Sequence, residues 1–224
     1  MNKKNIISLF MAAGFILSGG VLTACSAPKT ETPAFEPPPP APPEAQPEEE
    51  TTTEDDGETA AELPAHPKVE ITMEDGGKIL LELDSAAAPV SVENFLQLVS
   101  DEYYDGLIFH RVIPRFMIQG GSPDGSGSGG GTKPFKGEFA ANGWDNPISH
   151  ARGVISMART NEPDSASGQF FITNADRLDL DGNYAAFGRV LDGMDVVDAI
   201  SATQTDAGDR PVNEIVIKTI RVVE

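Results

Sequence analysis

The sequence predicts a mainly β domain, a closed antiparallel barrel with two α-helices capping its ends, carried behind a disordered linker. Three observations predict it. Short apolar segments of strand length recur from Lys68 to the C-terminus between turn-rich stretches. Only two stretches carry helical periodicity. Residues 26–65 hold almost nothing that can be buried. No repeat of roughly 20 to 50 residues is present that would point to a solenoid or propeller.

In chain order, Lys3 and Lys4 precede an apolar run over residues 6–22, interrupted by Gly14, Gly19 and Gly20, the layout of a signal peptide. A run this short, with glycines in it, makes a weak spanning helix. It ends in LTAC, residues 22–25, which resembles the lipobox of bacterial lipoproteins. The resemblance implies a signal peptide over residues 1–24 and lipid on Cys25, the only cysteine in the chain. More than one acyl chain is expected there, because about 0.8 kcal/mol per buried methylene leaves a single chain marginal. With that thiol consumed no disulfide remains, so the fold must be held by packing. Residues 25–65, the lipidated Cys and a Pro/Glu-rich tract containing PAFEPPPPAPPEAQPEEE, read as a disordered, semi-stiff spacer that lifts residues 66–224 off a membrane.

The formal net charge of -19 divides into +2 for residues 1–25, -10 for residues 26–65 and -11 for residues 66–224, where 13 basic side chains face 24 acidic ones. No basic footprint exists, so nucleic acid is excluded as a partner. The acidity reads as a well-solvated surface.

Within residues 66–224, KVEITME and KILLELD alternate as strands about the hairpin signal Asp75-Gly76-Gly77. Pro89 suits the first turn of a helix whose Val92, Phe95, Leu96 and Val99 share one face. Strands follow in LIFHRVI, FMIQGG, GVISMA, FFIT, AAFGRV and NEIVIKTIRVV, with a second helix in MDVVDAISA that presents Met194, Val197 and Ile200 together. Nothing suggests an obligate dimer, so a monomer is expected.

The inventory of reactive side chains is narrow. The domain has His66, His110 and His150, no cysteine, and no cluster with metal spacing, so no metal site is expected. The segment DRLDLDGNYAAFG brushes against a calcium loop, but Arg177 stands where the first carboxylate belongs and Gly188 where the closing Glu belongs. The stretch GGSPDGSGSGGGTK lacks the ending of a phosphate loop and reads as a flexible loop. No Ser sits in a nucleophile elbow. What remains is an apolar set, amide side chains and Arg111 inside the apolar run FHRVIPRFMIQGG. A reaction that breaks no covalent bond fits that inventory.

FHRVIPRFMIQGG, GVISMARTNEPDSASGQFFIT and LDGNYAAFGRVLDGMDVVDAI, in matching order and spacing, resemble the signature segments of the cyclophilin-type peptidyl-prolyl cis-trans isomerases over essentially all of residues 66–224. The resemblance implies an eight-stranded antiparallel β-barrel closed by two helices, isomerisation of X-Pro bonds, no cofactor, and proline-containing polypeptide clients. Residue by residue it implies Arg111 as the catalytic group, Phe116, Met117 and Phe171 as a proline pocket with Leu180 on its rim, and Gln119 and Gln169 as polar anchors. Ala158, Arg159 and Thr160 match a segment that binds the substrate backbone as an edge, with the Arg159 side chain free to vary. Gly127 matches a groove-lining loop position, and Tyr184 stands where the best-known eukaryotic members carry His. Asp179 replaces their Trp at the pocket mouth, which implies weak cyclosporin binding. His110 reads as a satisfied structural histidine, because no proton transfer is needed. With the lipobox, these expectations describe a lipid-anchored isomerase on the extracytoplasmic face that assists folding of exported proteins. A non-catalytic proline-peptide-binding module and a surface lipoprotein with a vestigial site are the rival readings.

Overall fold

The computed structural model describes residues 65–224. The expected signal peptide, Cys25 and the expected linker up to residue 64 lie outside the described residues. Eight strands form one antiparallel sheet, β1 Lys68–Met73, β2 Lys78–Leu83, β3 Phe109–Ile113, β4 Met117–Gly120, β5 Val154–Met157, β6 Phe170–Thr173, β7 Ala186–Asp192 and β8 Ile217–Val223, in the order β3-β4-β6-β5-β7-β2-β1-β8. Helices α1 Pro89–Ser100 and α2 Met194–Ser201 accompany it.

The local chemistry accounts for the ends of these elements. The β1–β2 turn closes with Met73 N–H on Gly77 O at 2.8 Å and Gly76 N–H on Met73 O at 3.0 Å, with Gly76 at φ 91° where a side chain would strain. Helix α1 starts at Pro89 and buries Val92, Phe95, Leu98 and Val99. Its N-terminal donors are met from far along the chain by the buried Glu138, which accepts from Val90 N–H at 2.9 Å, Ser91 N–H at 2.8 Å and Ser91 Oγ–H at 2.6 Å.

One correction to the expected barrel follows from the pairing. The sheet curls into a half-barrel and is open, because β3 and β8 form no continuous ladder. They touch only at their near ends, through the Ile108–Val216 bridge, Phe109 N–H on Ile215 O at 3.0 Å, and the exchange of Gly106 and Leu107 with Ile217 at 2.8 Å each. Beyond that point β8 runs along β1, while Val112 N–H turns to Asp209 O at 2.8 Å. A loop therefore occupies the position where a closing ladder would run.

The main core sits inside the curl, with Phe95 meeting Tyr104, Phe170 and Phe187 at ring separations of 5.2, 5.6 and 5.3 Å. A second, smaller cluster of Met117, Phe171 and Leu180 lies apart from it. Strand alternation creates the division: Ile118, Phe170 and Ile172 point to the main core, and their neighbours Met117 and Phe171 belong to the other cluster. No helix among the described residues is long and apolar enough to cross a membrane.

Candidate active site

The smaller cluster is the floor of a pocket of about 160 Å³. Register builds it: Arg111 on β3 pairs with Gln119 on β4, and Gln119 pairs with Phe171 on β6, so a cation, an amide and an aromatic ring stand in one row across three strands. Arg111, Phe116, Met117, Gln119 and Phe171 all line the pocket, as do Leu180, Tyr184, Ala158 and Arg159. The other three expected residues, Gly127, Thr160 and Gln169, line an adjoining depression of about 600 Å³, which shares Gln119, Ala158 and Arg159 with the pocket. A groove of about 430 Å³ between the β1–β2 turn and α2 is larger than the pocket, but its lining carries no comparable chemistry. Chemistry, and not size, selects the site.

Arg111 is half exposed. Its Nε and Nη2 both donate to Asp209 Oδ2 at 3.4 Å, so one edge of the fork is occupied and the rest is available to the pocket. Asp209 sits at φ 64°, a strained value for a residue with a side chain, in a turn braced by Asp206 Oδ1, which accepts from Gly208 N–H at 2.8 Å and Arg210 N–H at 3.0 Å. Gln119 Nε2 donates to Gln169 Oε1 at 2.9 Å, and Gln169 Nε2 donates to Gly127 O at 3.0 Å and Gly129 O at 2.5 Å. The glycine-rich stretch, expected to be a flexible loop, is thus tied down by the anchors. It is also tightly packed, since a Cβ on Gly168 would lie 2.1 Å from Gly130 O.

Along the 158–160 segment, Ala158 N–H is spent on Gln169 O at 3.0 Å and Thr160 N–H on Ser165 Oγ at 2.9 Å. Of these three residues only Arg159 has both its main-chain donor and its acceptor without a partner among the described residues, which centres the expected backbone edge on it. The Arg159 side chain is itself held in place. Its Nε and Nη2 donate to Asn183 O at 3.0 and 2.7 Å, its Nη1 donates to Thr160 O at 2.8 Å, and its guanidinium lies 4.7 Å from the Tyr184 ring and 4.9 Å from that of Phe139.

Several site features carried no sequence signal. Arg177, noticed only for spoiling a calcium loop, lays its guanidinium 3.8 Å over Phe116 while its Nε and Nη2 donate to Asp179 at 2.8 and 2.6 Å. The exposed pocket-mouth Asp179 is thereby engaged. Its carboxyl is held below its usual value chiefly by those Arg177 hydrogen bonds. His150 stacks behind Phe171 at 6.2 Å and 16°, with Nδ1 2.8 Å from Asp181 Oδ1 and Nε2 3.1 Å from Ser156 Oγ. Burial pushes its pKa down against the opposing pull of Asp181, so this contact is a neutral imidazole hydrogen bond and not an ion pair. Asp181 is thus a hydrogen-bond partner of His150. No group of residues that could hold a metal ion exists among the described residues.

His110 departs from expectation. It is 5 % exposed, yet neither ring nitrogen has a hydrogen-bond partner. Burial first, then the nearby Arg210 and Arg111, push its pKa down, so it remains neutral beside the charged site.

Comparison with known proteins agrees with this geometry. A family model described as cyclophilin type peptidyl-prolyl cis-trans isomerase/CLD matches residues 68–222. The chain is 44% identical over 147 residues to peptidyl-prolyl cis-trans isomerase CYP18-1 of Arabidopsis thaliana, covering 64% of this chain and 89% of that protein. It is 44% identical over 155 residues to peptidyl-prolyl cis-trans isomerase A of Dickeya dadantii, covering 65% and 80%. Among solved structures, a Cryptosporidium parvum cyclophilin type peptidyl-prolyl cis-trans isomerase superposes with a TM-score of 0.66 at 32% identity, covering 71% of this chain and 98% of that one. A second structure of that protein, determined in the presence of the dipeptide Ala-Pro, gives a TM-score of 0.64 at 33% identity, covering 70% and 99%.

Proposed function

The chain belongs to the cyclophilin-type peptidyl-prolyl cis-trans isomerase family and is an isomerase of that class, and on that premise we propose that Arg111 is its catalytic residue and that the Phe116, Met117 and Phe171 pocket receives the client's proline ring. Rotation about a peptide bond is opposed by amide resonance with a barrier of about 18 to 20 kcal/mol. For X-Pro bonds both isomers are populated, and exchange takes tens to hundreds of seconds. In the twisted state the prolyl nitrogen becomes pyramidal and recovers its lone pair. A donor aimed at that nitrogen stabilises the twisted form more than the planar one, which lowers the barrier without covalent chemistry. A guanidinium suits this role because it stays charged and offers several N–H groups in a fixed plane, so no proton changes hands.

The observation that carries the reading is that Arg111 lines the same small pocket as three apolar side chains, so charge and a dry proline seat coincide. Gln119 and Gln169 orient the client polypeptide, and the free main-chain groups of Arg159 pair with its backbone. The relative solved with Ala-Pro supports proline-containing peptides as the substrate class. The test is an exchange assay on an X-Pro peptide. Arg111→Ala lowers kcat/KM by about a hundredfold or more with the fold intact, about 2.7 kcal/mol of transition-state stabilisation. Full activity in that variant would overturn the assignment.

The cellular setting is part of the same proposal. The basic start, the apolar run and Leu22-Thr23-Ala24-Cys25 support export and lipid anchoring through Cys25, with the isomerase serving exported proteins as they fold. Mass spectrometry of the mature N-terminus tests this: a diacylated or triacylated Cys25 is expected, and Cys25→Ala is expected to release the protein from membranes. An unmodified Cys25 in the mature protein would refute it.

A further inference from the structure

We infer that Arg159 is a specificity residue whose guanidinium receives the carboxylate of an acidic client residue flanking the proline. The inference rests on the proline-pocket reading above and names a substrate preference within it.

Eight arginines lie in residues 66–224. Arg111, Arg152, Arg177, Arg189, Arg210 and Arg221 each have a carboxylate at 2.5 to 3.8 Å. Among the described residues Arg115 and Arg159 have none. Of these two, Arg159 lines the pocket itself. Of the two arginines that line the pocket, Arg111 has the Asp209 carboxylate, whereas Arg159 is left unneutralised in a domain with an excess of acids. Carboxylates on the same loop do not make up the difference. Asp164 is engaged by Gly137 N–H at 3.1 Å and Asn142 Nδ2 at 2.7 Å, and the exposed Glu162 forms no ion pair among the described residues.

Arg159 is also held ready. Its acceptors are all neutral main-chain carbonyls, and its plane is fixed between Tyr184 and Phe139. Those contacts cost it no charge, and they leave at least one Nη2 N–H without a protein acceptor. A pre-oriented planar cation is the donor best suited to a carboxylate. Because Arg159 lines both the pocket and the adjoining depression, residues next to a seated proline pass in front of it. The overall negative charge of the domain opposes an acidic client only weakly at ordinary salt, where screening acts over about 8 Å, whereas a direct contact survives.

The test measures isomerisation of peptides that carry Glu, its neutral isostere Gln, or Lys at the position before the proline and, separately, after it. Wild type, Arg159→Gln, Arg159→Lys and Arg111→Ala are compared, with folding checked by circular dichroism. In wild type, kcat/KM for Glu exceeds that for Gln by about threefold or more at one position, Lys is the poorest, and the ratio shrinks with salt. In Arg159→Gln the ratio falls to about one, and Arg159→Lys, which keeps the charge without the fork, retains part of it. The ratio is internal to each variant, so a general loss of activity does not move it. A flat ratio in wild type at both positions, or one that survives in Arg159→Gln, overturns the inference. Full activity in Arg111→Ala counts against the pocket reading instead.

Discussion

At Arg111 the fold sets a charged side chain beside a pocket floored by apolar ones. It does so by taking the residue from an exposed position on β3 and its pocket partners from the buried positions of β4 and β6. The carboxylate that holds the Nε edge of Arg111 comes from Asp209, whose φ of 64° costs conformational energy that the ion pair does not repay, since both side chains are over 40% exposed. Strain without a stability return points to a role in orientation. Two variants separate the parts. Asp209→Gly and Asp209→Ala both remove the carboxylate and lower kcat/KM alike, while the glycine variant, free to adopt positive φ, is more stable than the alanine variant by about 0.5 to 1 kcal/mol. Wild-type activity in both, read in the exchange assay, would show that Asp209 does not orient Arg111. Arg111 itself was visible in the sequence as a guanidinium inside an apolar run. Asp209 was not, because 98 residues separate the pair and no local pattern encodes their meeting.

Elements were the most legible scale, because period-2 and helical patterns are local and each is set by burial on one face. All eight strands and both helices lie where those patterns put them, within a few residues at the ends. The two faces of β4 were not distinguishable, since Met117 and Ile118 are equally apolar and only the cross-strand partners decide which one meets the main core. That difference is measurable. Ile118→Ala opens a cavity in the main core and costs about 2 to 5 kcal/mol in denaturant unfolding. Met117→Ala, beside an existing pocket, costs less stability and mainly raises KM. Equal losses of stability from both would contradict the two-cluster division. Helix α1 makes the same point at its end: Pro89 announced the start, but Glu138, 47 residues beyond Ser91, supplies the buried cap. Glu138→Ala strands the two buried Ser91 donors and the half-buried Val90 N–H and is expected to cost about 2 kcal/mol or more, with Glu138→Gln recovering part of it.

Over the whole molecule, the number of strands and the antiparallel pairing were readable, whereas closure was not. Whether β3 and β8 form a ladder depends on a loop at Asp209 taking the Val112 N–H, a competition between distant segments that leaves no mark on either strand. Burial of histidine is likewise a property of the assembled fold, and it gives the stability a defined pH dependence. His110 and His150 both have their pKa lowered, in each case chiefly by burial. A lowered folded-state value means that the unfolded chain binds protons first. Stability is therefore complete above the unfolded value of about 6.5 and is lost as pH falls from there toward the folded values. A second loss begins below about 4, where Asp105 and Asp181, whose values are also lowered, start to protonate in the unfolded chain. The two carboxyl groups are lowered for different reasons. Asp105 is held down chiefly by its hydrogen bonds from Arg221, whereas Asp181 is raised by desolvation and more than compensated by Ser149 and His150. The melting temperature accordingly falls in two steps on acidification, and His110→Gln, which keeps a neutral polar side chain, shallows the upper step and leaves the lower one unchanged. Calorimetry from pH 8 to 3 decides it, since a melting temperature that stays flat between pH 7.5 and 5.5 would mean that neither buried imidazole resists protonation.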